Sequence, residues 1–252
     1  MKWIYPDWFV REVESPTSCI LALPGRAQYG RGLANWIPFD RLDNTLVIGV
    51  TPEKLEWYPL PNGAEDQTRA IDGLAAARAS IEEVVEDIED NYDIPRNKIA
   101  LFGYSAGAVM AIEVASKSVT DFAGAVIQSG AILEPSLLPF RRNNTPYLVV
   151  HGQNDSTFSW QERVTPMVKS FQEKGYNYKT AIRSNGGHGV FWEDIIVSME
   201  FLIDKLGYEK SLLKKIYEDS PMSTYGSSPL VYSKYEDCEP YEDKPYKHEC
   251  EF

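Results

Sequence analysis

The stretch of sequence that decides the fold is IALFGYSAGAVM, residues 99–110. Its first four residues are apolar, as in a buried strand, and a run of small residues typical of a helix follows Ser105. Between the two, Gly103-Tyr104-Ser105-Ala106-Gly107 matches the pattern G-x-S-x-G. In that pattern the serine lies on a sharp strand-to-helix turn, where side chains at the two glycine positions would collide. The segment therefore predicts a serine hydroxyl that projects from the edge of a sheet.

Further apolar runs alternate with helical patterns on both sides of this segment. The strand candidates are 19–23, 45–50, 99–102, 124–127, 147–150 and 178–182. The helix candidates are 66–90, 106–116, 160–174 and 190–206. Strands that alternate with helices make crossover connections, which give a mostly parallel sheet with helices on both faces. We therefore predict a doubly wound α/β fold.

The chain is predicted to divide into a folded domain, residues 1–207, and a tail, residues 208–252. From residue 218 onward the sequence is acidic and rich in Tyr and Pro but almost without Leu, Ile and Val, so it cannot form a core. The tyrosines at 225, 232, 235, 241 and 246 favour a tail that lies across the domain over a disordered one. The gap between the strands at 124–127 and 147–150 is too short for a large cap domain. An open site is expected.

The charge and hydrophobicity of the chain exclude several partners. The net charge is −12, which argues against nucleic acid and anionic membranes because both attract basic surfaces. No apolar run reaches the roughly 18 residues of a membrane-spanning helix. The start of the sequence does not have the pattern of a signal peptide. These features predict a cytoplasmic protein.

Three cysteines, an odd and low number, favour a reducing compartment and free thiols. Cys238 and Cys250 lie close enough in the sequence to bridge each other. With His248 they offer too few ligands at too loose a spacing for a zinc site. No metal and no cofactor are predicted.

A serine hydroxyl is a poor nucleophile and needs a base. Of the three histidines, His188 lies in the glycine-rich loop 185–189 between the last strand and the last helix, and it is the predicted base. His151 directly follows the strand at 147–150 and is interpreted as a structural residue, whereas His248 lies in the tail. A serine and a loop histidine without catalytic roles remain the alternative interpretation.

The third member of a triad would be a carboxylate on a loop after a strand, where it orients the imidazole. Asp155 has this position, five residues past the strand at 147–150. Asp194 is the rival, but it lies within a predicted helix. The order Ser105, Asp155, His188 is that of the α/β-hydrolase fold. An ordinary turn residue is the other interpretation of Asp155.

Two backbone N–H groups are needed to stabilise the oxyanion of the tetrahedral intermediate. The predicted donors are Ala106, at the start of the helix after the serine, and Arg26, in the loop after the strand at 19–23. An ordinary Pro24-Gly25 turn is the alternative. Trp57 follows the second strand, and a place at the edge of the site and packing in the core are equal interpretations of it. The predicted substrate-binding residues are Gly25, Tyr29, Trp57, Tyr104, Leu133 and Phe158.

At these motifs the chain resembles the phospholipase/carboxylesterase family, which comprises small lidless α/β-hydrolases such as bacterial carboxylesterases and acyl-protein thioesterases. The resemblance runs from about residue 19 to 206 and includes 103–107, 151–155 and 186–188. It implies catalytic roles for Ser105, Asp155 and His188. It also implies oxyanion-hole positions for Arg26 and Ala106.

The chain departs from the family pattern at three places. Pro24 stands where the family usually has His, and Ala106 stands where it often has Gln. Ser156-Thr157-Phe158 replaces a Val-Pro pair after the aspartate. These departures leave the triad intact and bear on the substrate.

We therefore expect a serine hydrolase that cleaves carboxylic esters of short to medium acyl chains through an acyl-enzyme. An acyl thioesterase or a lysophospholipase of the same family is the alternative within this class. A non-catalytic binding protein that retains the fold is the alternative from another class. The expected partner is a small-molecule ester or acyl substrate, and the sequence leaves a homodimer open.

Overall fold

The computed structural model describes residues 8–11, 13–59, 64–218 and 231–233. The strands are β1 (Trp8–Arg11), β2 (Ser18–Leu23), β3 (Thr45–Val50), β4 (Ile99–Tyr104), β5 (Gly124–Gln128), β6 (Pro146–Gly152), β7 (Asn177–Arg183) and β8 (Val231–Ser233). The helices are α1 (Gly30–Trp36), α2 (Ala64–Tyr92), α3 (Ala106–Lys117), α4 (Thr165–Glu173), α5 (Trp192–Leu206) and α6 (Ser211–Glu218). A π-helical turn, Trp160–Val164, leads into α4.

The described strands form one sheet in the order β1-β3-β2-β4-β5-β6-β7-β8. The strands from β2 to β7 are parallel, and only the two edge strands, β1 and β8, run antiparallel to their neighbours. The register pairs Leu23 with Gly103 and Tyr104 with Gln128. The carboxyl ends of β2, β4 and β5 therefore meet at one edge of the sheet. The predicted doubly wound α/β fold is confirmed.

Two apolar layers cover the sheet, one on each face. Alternate residues of β2 divide between them: Leu21 and Leu23 pack with α2, α3 and α4, whereas Ile20 and Ala22 pack with α1 and α5. Successive side chains of a strand point to opposite faces of the sheet. Because both faces are buried here, apolar residues occupy consecutive positions of the strand. Each fully buried Leu or Ile stabilises the fold by about 1.5–3 kcal/mol.

The two glycines of the serine turn are required by close backbone contacts. A Cβ at Gly107 would lie 1.9 Å from the Leu23 carbonyl oxygen, and one at Gly103 would lie 2.3 Å from the Gly107 oxygen. No L side chain fits at either position. The collision predicted from the sequence is confirmed.

Part of the predicted tail lies against the domain. Helix α6 packs on α5, and Ile216 is buried there. The Tyr208 hydroxyl donates to the Asp43 carbonyl oxygen, and β8 pairs with β7. Tyr225, Tyr235, Tyr241, Tyr246, Cys238, His248 and Cys250 lie outside the described residues. The domain boundary at 207 stays a prediction.

Candidate active site

Ser105 occupies the turn between β4 and α3 in a strained backbone conformation. Its φ is 53° and its ψ is −118°, values that L residues rarely adopt. Its N–H donates to the Gln128 carbonyl oxygen at 2.9 Å, which ties the turn to the end of β5. The strain is held in place by the packing of α3 against β2, and it exposes the hydroxyl at the carboxyl edge of the sheet.

A chain of hydrogen bonds joins this serine to His188 and His188 to Asp155. His188 lies 83 residues after Ser105 and 33 residues after Asp155. His188 Nε2 lies 3.0 Å from Ser105 Oγ. His188 Nδ1 lies 2.8 Å from Asp155 Oδ2. In this geometry a neutral imidazole can accept the hydroxyl proton while the carboxylate fixes its tautomer.

The carboxylate of Asp155 is buried and oriented by its own loop. Asp155 is 4% exposed, and its Oδ1 accepts hydrogen bonds from the N–H groups of Thr157 and Phe158 at 2.7 and 2.8 Å. Those two bonds leave Oδ2 directed at His188. Burial without such partners would be costly for a carboxylate, so the turn 155–158 is built around this side chain.

His151 is fully buried at the end of β6 and reaches the same carboxylate. Its Nε2 donates to the Phe158 carbonyl oxygen at 2.8 Å and lies 3.5 Å from Asp155 Oδ2. Burial lowers the pKa of His151, although the Phe158 carbonyl and the Asp155 carboxylate oppose this effect. The sequence predicted a structural residue at a strand end. The structure adds the contact with Asp155, which no pattern in the sequence indicated.

The histidine loop and the aspartate loop are joined by backbone contacts. The N–H of Asn154 donates to the Gly186 oxygen at 2.8 Å, and the N–H of Gln153 donates to the Arg183 oxygen at 3.0 Å. A Cβ at Gly152 would lie 2.3 Å from the Gly186 oxygen. This close approach brings the imidazole and the carboxylate of the two loops together.

Two aromatic rings flank the imidazole of His188. The ring centroid of Tyr104 lies 5.5 Å from that of His188, and the centroid of Phe158 lies at 6.1 Å. Burial raises the pKa of Tyr104, with a further contribution from the Asp155 charge, so the phenol stays neutral. Both residues were predicted to bind substrate, and the structure places both beside the triad.

The predicted oxyanion loop is fixed by the segment that follows β3. The indole N–H of Trp57 donates to the Pro24 oxygen at 2.8 Å, and the Arg26 guanidinium contacts Glu56 at 2.5 Å and the Tyr58 oxygen at 3.0 Å. Trp57 is 7% exposed and belongs to the core beneath the loop. Of the two interpretations of Trp57, the structure shows core packing, and the residue supports the loop from behind.

The remaining predicted residues lie at the edges of this region. The N–H of Gly25 donates to Gln28 Oε1 at 3.0 Å, and a Cβ at Gly25 would lie 3.2 Å from the Tyr104 ring. Tyr29 precedes α1 and is 56% exposed. Leu133 is half-buried against the core, and its carbonyl accepts a hydrogen bond from Arg163 at 3.1 Å. Ala106 begins α3 directly after the serine.

Asp194, the rival carboxylate, is buried at the start of α5 and bonds elsewhere. Its Oδ2 accepts from the Phe191 N–H at 3.0 Å and from Gln128 Nε2 at 3.2 Å. The Arg183 guanidinium lies 3.3 Å away. Burial raises the pKa of Asp194 to about 6, and Arg183 opposes this rise. The imidazole is therefore paired with Asp155, and Asp194 serves the loop that holds it.

Within the described ranges, no group of three or more His, Cys, Asp or Glu side chains is arranged to hold a metal ion. A cavity of about 340 Å³ lined by Val10, Asp87, Asn91 and Tyr92 includes none of the predicted site residues. Of the helices that the structure describes, none has both the length and the hydrophobicity needed to span a bilayer.

A parallel sheet that ends in a serine turn, with Asp155 and His188 on later loops, defines an α/β-hydrolase. Residues 47–201 match the family model described as Phospholipase/Carboxylesterase. The chain belongs to the phospholipase/carboxylesterase family, as the resemblance of its motifs predicted.

Individual relatives agree with this assignment. Acyl-protein thioesterase 1 of Debaryomyces hansenii is 28% identical over 160 residues, which cover 60% of this chain and 67% of the relative. The phospholipase/carboxylesterase of Dyadobacter fermentans has 18% identity and a TM-score of 0.67, with 78% of this chain and 95% of that chain covered. The Bacillus cereus carboxylesterase has 18% identity and a TM-score of 0.62, with 79% and 93% covered. At these identities the two structures show the fold alone.

Proposed function

We propose that this protein is a carboxylesterase-type serine hydrolase that cleaves esters of short to medium acyl chains through an acyl-enzyme on Ser105. The observation that supports this proposal is the continuous hydrogen-bonded chain from Asp155 through His188 to the Ser105 hydroxyl. A fold retained for binding alone has no requirement for such a chain, or for a strained serine at its end.

In the proposed reaction, Ser105 Oγ attacks the ester carbonyl carbon while its proton passes to His188 Nε2. The resulting imidazolium is stabilised by Asp155, which keeps its negative charge. Collapse of the tetrahedral intermediate breaks the carbonyl carbon–oxygen bond to the alcohol, which leaves with the proton from Nε2. Water, deprotonated by the same nitrogen, then attacks the acyl carbon. The bond between that carbon and Ser105 Oγ breaks, Oγ takes the proton back from His188 Nε2, and the carboxylic acid leaves.

The oxyanion would be stabilised by the backbone N–H groups of Ala106 and Arg26. The first begins α3, where the helix dipole adds to its effect. The second belongs to a loop that makes hydrogen bonds to three consecutive residues of the segment after β3: Glu56, Trp57 and the Tyr58 carbonyl. A donor that does not need to reorganise during the reaction stabilises the transition state most effectively.

A thioesterase acting on acylated substrates is the second candidate. Its support is the similarity to a protein named acyl-protein thioesterase 1. The triad chemistry is the same for both bonds, since only the leaving atom changes from oxygen to sulfur. A set of aryl esters and matched thioesters with two to sixteen acyl carbons would distinguish the candidates.

The test of the proposed function is labelling by a fluorophosphonate together with hydrolysis of short-chain aryl esters. We expect labelling of the native protein, and its loss in Ser105→Ala. Hydrolysis should fall by about 10³-fold or more in Ser105→Ala and His188→Ala. Ser136→Ala removes an exposed hydroxyl outside the triad and should leave both signals unchanged.

Three results bear against the proposal. A native protein that neither reacts with the probe nor hydrolyses any ester would support the non-catalytic alternative. Full hydrolysis by Ser105→Ala would assign the nucleophile to another residue. A strong preference for long-chain thioesters would replace the carboxylesterase assignment by the thioesterase one.

A further inference from the structure

Gln128, the last residue of β5, contacts both the nucleophile turn and the histidine loop. It is fully buried. Its backbone carbonyl accepts the N–H of Ser105 at 2.9 Å. Its side-chain Nε2 donates to the carbonyl oxygen of Gly189, the residue after His188, at 3.1 Å. One residue therefore connects to the nucleophile through its main chain and to the base through its side chain.

The other hydrogen of the Gln128 amide is directed at Asp194, whose Oδ2 lies 3.2 Å from Nε2. Asp194 in turn accepts the N–H of Phe191 at 3.0 Å, which closes the histidine loop onto the start of α5. Gly189 and Asp194 both follow His188 in the chain, so the amide of Gln128 holds the segment after the imidazole at two points. Both facing groups are acceptors, which suits the amide nitrogen on this side of Gln128, whereas its buried Oε1 has no hydrogen-bond partner.

Ser129 supports the same carbonyl group. Its hydroxyl donates to the Gly189 oxygen at 2.6 Å. A carbonyl oxygen has two lone pairs, and here Gln128 and Ser129 occupy both. Beneath the loop, the Arg183 guanidinium stacks on the Phe191 ring at 3.6 Å and lies 3.3 Å from Asp194. The backbone on the far side of the imidazole is therefore fixed from β5, β7 and α5.

We propose that Gln128 is a positioning residue that sets the distance between His188 Nε2 and the Ser105 hydroxyl by holding Gly189. This inference rests on the proposed hydrolase function. A misplacement of a catalytic group by about 1 Å can reduce the rate about 100-fold. Loss of the two amide donors should therefore affect kcat, because Gln128 acts on the catalytic geometry and touches no substrate.

The experiment compares Gln128→Leu, Gln128→Glu and Ser129→Ala with the native protein in aryl ester hydrolysis. End-point fluorophosphonate labelling counts the folded sites, so that kcat is expressed per reactive serine. We expect Gln128→Leu to lower kcat about 10- to 100-fold with KM changed by less than about 3-fold. Ser129→Ala should lower kcat by a smaller factor, since the amide still holds Gly189. Gln172→Leu makes the same change on the exposed face of α4 and should have no effect.

Gln128→Glu adds a readout that a purely structural role would not change. The introduced carboxylate would face the Gly189 carbonyl and the Asp194 carboxylate. The elements that face it also carry other charged or titratable groups: Arg183, His188 and Glu193. Ionised, it repels both acceptors. Protonated, its hydroxyl can donate to one of them. The ratio of its kcat to that of the native protein should therefore rise as the pH falls, and the ratio cancels the titration of His188 itself.

The results separate the inference from the proposed function. A native protein that neither labels nor hydrolyses esters overturns both. An active native protein whose Gln128→Leu variant keeps its kcat per labelled site within about twofold overturns the inference alone. If Gln128→Leu does not fold, the other two variants provide the test. The inference is contradicted if the kcat ratio of Gln128→Glu does not change with pH and the kcat of Ser129→Ala equals that of the native protein.

Discussion

At the scale of single residues, the site is built from carboxylates in unlike surroundings. Asp155 receives two backbone N–H groups and an imidazole, so its charge is matched by donors on both oxygens. Asp194 is equally buried, but its Oδ1 has no hydrogen-bond partner. Arg183 lies within ion-pair distance of Asp194 without hydrogen-bond geometry. The incomplete pairing explains why burial determines the direction of its pKa shift.

This difference predicts how stability depends on pH. Burial raises the pKa of Asp194 from 3.8 to about 6, so between these values the native state keeps a proton that the unfolded state has lost. The free energy of unfolding should therefore decrease as the pH rises through this interval, by ~3 kcal/mol from this group. Denaturant titrations at several pH values should show that this decrease in the free energy of unfolding with rising pH is absent in Asp194→Asn.

The control for this prediction is Asp204→Asn, the same change on an exposed position of α5. The neighbouring Lys205 lowers the pKa of Asp204, so its contribution has the opposite sign and is present above the unfolded value. The interpretation of Asp194 fails if Asp194→Asn and the native protein show parallel pH dependence between pH 4 and 6.

At the scale of elements, the position of the serine depends on how closely α3 approaches β2. The helix begins directly after Ser105, and its first turn touches the Leu23 and Pro24 carbonyl groups at the position of Gly107. The same carbonyl of Pro24 accepts the Trp57 indole N–H. The nucleophile turn and the proposed oxyanion loop therefore share one set of backbone contacts, and neither can shift without the other.

This contact predicts opposite effects of the same substitution at two glycines. Gly107→Ala places a Cβ 1.9 Å from a backbone oxygen, so we expect a loss of at least about 3 kcal/mol in the free energy of unfolding, or no folded protein. Gly32→Ala, on the exposed face of α1 with open space around it, should stabilise the protein by about 0.5–1 kcal/mol. Expression level and urea unfolding measure both, and a tolerated Gly107→Ala would contradict the tight packing.

At the scale of the whole molecule, three loops far apart in the chain converge because the strands before them, β4, β6 and β7, run parallel in one sheet with only β5 between the first two. Asp155 follows β6 and His188 follows β7. These two strands end side by side at Gly152 and Arg183, two residues beyond the level of Gln128, the end of β5. A parallel sheet thus converts order along the chain into proximity at one edge. Helix α6 packs against α5 and buries Ile216 there.

The contact between α6 and α5 allows a test of where the folded domain ends. We propose that the domain extends through α6, and Ile216→Ala should then lower the free energy of unfolding by about 2–4 kcal/mol through lost burial and an unfilled cavity. Lys215→Ala, at the exposed neighbouring position, should change it by less than about 0.5 kcal/mol. Equal stability of the two variants would favour the boundary at 207.

Much of this description followed from the sequence because it depends on local patterns. The strand and helix periods and the two glycines around Ser105 are readable without a structure, since each reflects the chemistry of a short segment. The chain order of serine, aspartate and histidine is also visible in the sequence once each short motif is recognised. The class of the protein and the residues of the candidate triad therefore came from the sequence.

The contacts of Gln128, Ser129, His151 and Arg183 around the triad were not predictable, because they join residues from different strands and loops. Gln128 has no motif, and its relation to Gly189 exists only once β5 and the loop after β7 lie side by side. Trp57 likewise has two equal interpretations in the sequence, and only its packing in the core, beneath the proposed oxyanion loop, decides between them. Sequence patterns specify which side chains can do the chemistry, whereas tertiary packing decides the distances between them and the groups that hold them there.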